Sequence, residues 1–176
     1  MIKEDKMADY ERQLTRVDIV RKDLDKLIMG FDDPEVQREA YVHLYGVGQA
    51  CALIAFKRGH DGEFAELACI AGMLHDIAKY ENGINPTDHA KRSALRAWHI
   101  LEMTNMFSED ELTMICTGIA NHSDKNRSDD EFSEILKDAD AMQHWLRNPA
   151  EAYFNEKSRN VAMKKEFGLM QQSEKQ

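Results

Sequence analysis

Leu67-Ala-Cys-Ile-Ala-Gly-Met-Leu74 is the longest apolar run in the chain, and it ends on His75-Asp76-Ile77-Ala78-Lys79. It falls far short of the roughly 18 residues that a membrane span requires. Its small and unbranched residues favour helix, and Asp61 stands upstream as a start signal, so a helix is predicted from Asp61 to about Lys79. His75-Asp76 closes an otherwise apolar helix. A carboxylate there is costly to bury unless a cation, a proton or several hydrogen bonds compensate it.

Outward from this segment the chain reads as further helices. Residues 3 to 29 carry Tyr10, Leu14, Val17, Val20, Leu24, Leu27 and Ile28 at helical spacing with charges between them, and Gly30 stands where a helix would stop. Asp32-Asp33-Pro34 places capping carboxylates before a first-turn proline and opens a helix to about Arg58. Tyr80 to Pro86, with Asn82-Gly83 and Asn85-Pro86, reads as a loop. Thr87 or Asp88 caps a helix to about Met103, and Ser108-Glu-Asp-Glu111 is a capping box for a helix ending near His122. Ser123 to Asp130 is polar throughout and reads as an exposed loop. Glu131 to Arg147 is helical, and Asn148-Pro149-Ala-Glu151 signals a last helix to about Phe167, with a frayed tail from Gln171.

Composition agrees: 18 Ala, 13 Leu and 10 Met stand against 6 Val, 11 Ile and 5 Thr, with only 9 Gly and 3 Pro in 176 residues. The prediction is an all-α chain, a single bundle of about six or seven helices forming one domain over 1–176. Its core spans 31–148, preceded by the amphipathic helix in 1–30 and followed by a C-terminal helix and tail in 149–176. The N-terminal helix packs either on the domain or on a second copy of the chain, which would make a homo-oligomer. Met1-Ile-Lys-Glu-Asp-Lys6 has no apolar region of the kind a secretory signal needs, so a cytoplasmic address and no membrane partner are expected. Cys51, Cys69 and Cys116 are odd in number and lack Cys-x-x-Cys spacing, which argues for buried thiols. A net charge of −9 with no basic run disfavours long nucleic acids.

Several polar residues sit where an apolar face is expected. His43 shares a helical face with Val47, Ala50 and Ile54 and so looks inward; a hydrogen-bonded core imidazole is its plainer reading taken alone. Asp140 lies among Leu136, Ala139, Ala141 and Met142. Two His and two Asp from three inward-facing helices form an N/O ligand set suited to a divalent ion, among Mn, Fe, Zn, Ni, Co and Mg. His60, His99 and His144 match no such pattern and read as structural or surface residues. Trp98 and Trp145 read as core.

The order His43, His75-Asp76, Asp140 resembles the HD-domain superfamily of metal-dependent phosphohydrolases. The local forms are His43-Leu-Tyr-Gly-Val47, Ala71-Gly-Met-Leu-His-Asp-Ile-Ala-Lys79 and Asp138-Ala-Asp-Ala-Met142. The resemblance spans about Tyr41 to His144. It implies an HD-like helical fold in which His43, His75, Asp76 and Asp140 are metal ligands, with Asp138 the alternative to Asp140. It also implies that His89 and His122 face the substrate or a second metal, and that Lys79 faces phosphate oxygens. Asp76 and Lys79 are the expected catalytic residues, and Lys79, His89, Arg92 and His122 the expected substrate-binding ones. Arg92 and Arg96 lie three and seven residues beyond His89 and could share its face, although a solvated face is the plainer reading of both.

Two departures matter. Two-metal members usually pair His where this chain has His122-Ser123, which argues against a complete second site. Lys79 also stands where some nucleotidases carry a carboxylate. The expected function is hydrolysis of a phosphoester of a small phosphorylated molecule, a nucleotide first among them. The alternative is a non-catalytic metal- or nucleotide-binding HD module with a sensing or regulatory role.

Overall fold

The segment predicted as one helix from Asp61 to Lys79 is in fact two, α3 (Gly62–Leu74) and α4 (Ile77–Asn82), with His75 and Asp76 at the break. The computed structural model describes residues 14–82, 87–151, 153 and 157–170. The other helices are α1 (Arg16–Met29), α2 (Pro34–Lys57), α5 (His89–Glu102), α6 (Glu109–Asn121), α7 (Glu131–Arg147) and α8 (Ser158–Glu166), and no strand occurs among the described residues. The all-α bundle is therefore as expected, and the break in the central helix accounts for the extra segment.

The break has a physical purpose. Consecutive residues of a helix point about 100° apart, so an unbroken helix cannot aim both His75 and Asp76 at one point. Backbone groups freed by the turn find partners: His75 Nδ1 donates to Gly72 O at 2.8 Å, Lys79 N to Asp76 O at 3.0 Å, and Ala78 N to Ser93 Oγ at 3.2 Å. The predicted Tyr80–Pro86 loop starts later than expected, because α4 runs through Asn82, and 83–86 lie outside the described residues.

Helix α3 is the centre of the core: Ala65 and every residue from Leu67 to Leu74 are buried. Its crossing with α2 is set by two glycines. A Cβ on Gly72 would stand 2.7 Å from Gly48 Cα, and one on Gly48 would stand 2.7 Å from Met73 Cγ, so the two backbones touch only because neither residue has a side chain. The crossing fixes His43, five residues before Gly48, relative to His75, three residues after Gly72.

Capping chemistry sets the helix ends. Asp33 accepts from Glu35 N with Pro34 opening α2, Ser108 and Glu111 complete the predicted capping box, and Asp130 accepts from Ser133 N at the start of α7. The first helix starts at Arg16 rather than near residue 3, because Thr15 and Asp18 close a capping box there; residues 1–13 lie outside the described residues. Val20, Leu24 and Ile28 are fully buried, and Arg16 bonds Glu66 and Glu111, so this helix packs on its own domain. At the other end, residues 148–151 are not helical and the last helix is Ser158–Glu166, with 152, 154–156 and 171–176 outside the described residues.

Candidate metal centre

Five elements converge on one buried point. His43 comes from α2, His75 and Asp76 from the α3–α4 break, Asp140 and His144 from α7, His89 opens α5, and His122 is the C-cap of α6. His43, His75, Asp76, His122 and Asp140 are all buried.

The hydrogen bonds behind the histidines determine what they present. Gln143 donates from Nε2 to Val42 O at 3.2 Å, which turns its Oε1 to His43 Nδ1 at 2.8 Å, so Nδ1 carries the proton. His75 Nδ1 donates to Gly72 O and His122 Nδ1 to Ile119 O, at 2.8 and 2.7 Å. With Nδ1 committed to a partner on its far side, each ring presents Nε2 to the centre. There the rings face carboxylate oxygens. His43 Nε2 is 3.6 Å from Asp76 Oδ2 and 3.5 Å from Asp140 Oδ1; His75 Nε2 is 3.6 and 3.8 Å from the same atoms.

These separations are too long for hydrogen bonds. They approach the roughly 3.0–3.4 Å edges of a coordination polyhedron built from bonds of about 2.1 Å. His43 Nε2, His75 Nε2, Asp76 Oδ1 and Asp140 Oδ1 are buried without a hydrogen-bond partner. Buried acceptors facing one another without a proton between them are unfavourable unless a cation shares them, so the donor set fits a divalent ion.

Electrostatics agree. Burial alone would raise the Asp76 carboxyl, but His75, His122 and His43 outweigh it and hold it well below the carboxylate range. Burial opposes ionisation of Asp140 in the same way, and Lys125, followed by His75 and His43, outweighs it. Burial pushes His75 down to about 3, so it is neutral near pH 7. At His43 burial acts downward, yet Asp76, Asp140 and the Gln143 hydrogen bond prevail and raise it.

The other expected residues divide. Lys79 Nζ lies 3.0 Å from Asp76 Oδ2. His89 and His122 face the opposite oxygen, Asp76 Oδ1, at 3.3 and 3.4 Å, so Asp76 presents a different pair of imidazoles to each of its oxygens. His89, His122 and Asp76 thus form a metal-compatible group of their own, although the sequence lacks the paired histidines. Arg92 is exposed and bonds Asp88 at 2.9 Å, and Arg96 forks onto Glu81. Asp138, the alternative ligand, is held by Arg58 and Arg159 at 2.7 Å each and faces away from the cluster.

His144 is a correction. It reads from sequence as structural or surface, yet its Nε2 lies 3.5 Å from Asp140 Oδ1 and its ring centroid 5.0 Å from that of His43, within a group able to hold a metal. The signal was present: His144 stands four residues after Asp140, one helical turn along the same face. Lys125, from the polar loop between Ser123 and Asp130, donates to Asp140 Oδ2 at 2.6 Å. His60 keeps its structural reading, stacked on Phe64 and 3.0 Å from Glu131.

Two clefts open from this centre and meet at His144. One, of about 560 Å³, is lined by His43, Lys79, Tyr80 and Arg147 among others; the second, of about 350 Å³, by Lys125, Asp140, Tyr153, Lys157 and Arg159 among others. No helix of the described residues is long and apolar enough to cross a membrane.

A family model, described as the HD domain, matches residues 40–145, which is more than half of the chain. Among curated proteins and among solved structures nothing matches it.

Proposed function

The chain belongs to the HD-domain family, and from that premise we propose that it is a metal-dependent phosphohydrolase that cleaves a phosphoester of a small molecule, with a nucleotide as the favoured substrate class. One observation carries the reading: His43 Nε2, His75 Nε2 and Asp140 Oδ1 are buried without hydrogen-bond partners and crowd one point beside Asp76 Oδ2.

A divalent ion held there supplies Lewis acidity, lowering the pKa of a bound water from about 15.7 toward 7 and polarising a phosphoryl oxygen. The chain's own residues do the rest. Gln143 and Gly72 O hold the two imidazoles in the ligating tautomer. Lys79, half-exposed beside Asp76, directs an ammonium into the larger cleft, where it can neutralise phosphoryl oxygens as charge develops on them. His89 and His122 line the other side of Asp76 and are placed to meet the phosphoryl group or its leaving oxygen. Hydrolysis forms a bond from phosphorus to the water oxygen and breaks the bond to the leaving alkoxide, which takes up a proton.

The purified chain is expected to retain about one divalent metal and to hydrolyse at least one member of a panel of nucleoside mono-, di- and triphosphates and dinucleotides. Asp76→Ala should lose both properties, measured by elemental analysis and phosphate release. Hydrolysis that survives in this variant overturns the assignment. Metal bound without turnover across the panel would instead make the chain a non-catalytic HD module.

A further inference from the structure

The two clefts that meet at His144 differ in charge. The larger sets Glu35 and Glu39 against Lys79 and Arg147, and Arg147 is already held by Glu39 at 2.7 and 2.8 Å. The smaller sets Lys125, Lys157 and Arg159 against Asp140 alone. In a chain with 32 acidic and 23 basic residues this excess runs against the average.

Two of the three cations have structural tasks, Lys125 on Asp140 and Arg159 on Asp138 and Glu134. Lys157 is held differently. Its ammonium lies 4.2 Å from the centroid of the Tyr153 ring, and both residues are exposed. The first turn of α8, which no side chain caps, forms part of the same wall. Residues 153 and 157–160 lie outside the 40–145 family match, whereas Lys125, Asp140 and His144 on the facing wall lie within it.

Resting on the hydrolase reading, we propose that the smaller cleft receives a second anionic group of the substrate, with Lys157 as its contact. The substrate class is then one that carries two or more linked phosphoryl groups, a nucleoside diphosphate or triphosphate rather than a monophosphate. Asp140 belongs to both the metal centre and this cleft, so a phosphoryl group next to the reacting one enters the cleft without leaving the site. About 350 Å³ is at the low end of ligand pockets, enough for part of a nucleotide.

The test is a binding measurement on the full, metal-loaded chain. Titration calorimetry gives dissociation constants for orthophosphate and for methylenebisphosphonate, a pyrophosphate analogue that resists hydrolysis, in the wild type, in Lys157→Ala and in Lys26→Ala, an exposed control on α1. Loss of a charge-assisted contact at an exposed ammonium should weaken bisphosphonate binding about three- to tenfold more than phosphate binding. The control should leave the ratio of the two constants unchanged. A ratio in Lys157→Ala that moves by less than about threefold from wild type overturns the proposal. Thermal unfolding of Lys157→Ala at the wild-type midpoint verifies the fold. Because binding is read without turnover, this failure is distinct from that of the hydrolase reading, which falls on hydrolysis by Asp76→Ala.

Discussion

Asp138 and Asp140 stand two residues apart on α7, both buried, and their surroundings are opposite in kind. Asp138 closes a network: Arg58 and Arg159 take its two oxygens, Arg58 continues to Glu166, and Arg159 to Glu134. Next to it the fully buried Lys137 is caged by Asp129, Glu134 and Arg127 O at 2.6, 3.0 and 2.8 Å. Asp140 gives one oxygen to Lys125 and leaves the other facing three imidazoles, those of His43, His75 and His144. Two residues along a helix rotate by about 200°, enough to put one carboxylate in each environment. The side whose charges are all answered within the chain is scaffold. The side that leaves acceptors unanswered is the one that fits a cation.

Substitutions can break this contrast, and Asp140→Ala has the largest expected effect. It should abolish metal retention and lower kcat/KM by at least about 10³-fold while costing the metal-free protein little stability. Bound metal at the wild-type level in this variant would erase the distinction between the two aspartates. Asp138→Ala comes next and does the reverse. It leaves Arg58 and Arg159 short of a partner and should cost about 2–4 kcal/mol in urea unfolding, with metal content retained. Loss of metal in folded Asp138→Ala would mean that the two sides are one system.

Gln143→Leu removes the group that holds the His43 tautomer and should weaken metal affinity about 10- to 100-fold in a chelator competition. An unchanged affinity would show that His43 needs no such support. Arg92→Ala should move least. Its exposed pair with Asp88 contributes less than about 1 kcal/mol to stability, and kcat/KM should fall by less than about fivefold. A larger loss would extend the site along α5.

Much of the fold was legible because helix ends are written in local chemistry. Ser108 with Glu111, Asp33 before Pro34, and Asp130 each satisfy backbone N–H groups within a few residues. The same locality hid other features. The break at His75-Asp76 lies inside a run of good helix formers, and it rests on the local bond from His75 Nδ1 to Gly72 O and on the tertiary bond from Ala78 N to Ser93 Oγ. Gln143 carries no signal at all, since a glutamine next to Met142 and His144 is ordinary. Sequence alone did not decide between Asp138 and Asp140 because α7 buries residues on several faces, Lys137 included, so the amphipathic pattern does not say which carboxylate meets the core histidines.

The amino-acid sequence by itself determined the helices, their caps and the presence of a His, His-Asp, Asp ligand set in HD-domain order. Those follow from interactions within a turn or two of chain and from the kinds of atoms supplied. The tertiary structure alone decided which of those atoms stay without a hydrogen-bond partner. Which nitrogen of a buried imidazole finds a partner depends on groups a hundred residues away, as His43 and Gln143 show. It also depends on how closely Gly48 and Gly72 let two helices approach. Hydrogen-bond satisfaction is a property of packing, and in this chain packing separates a carboxylate answered on both oxygens from one left open on one side.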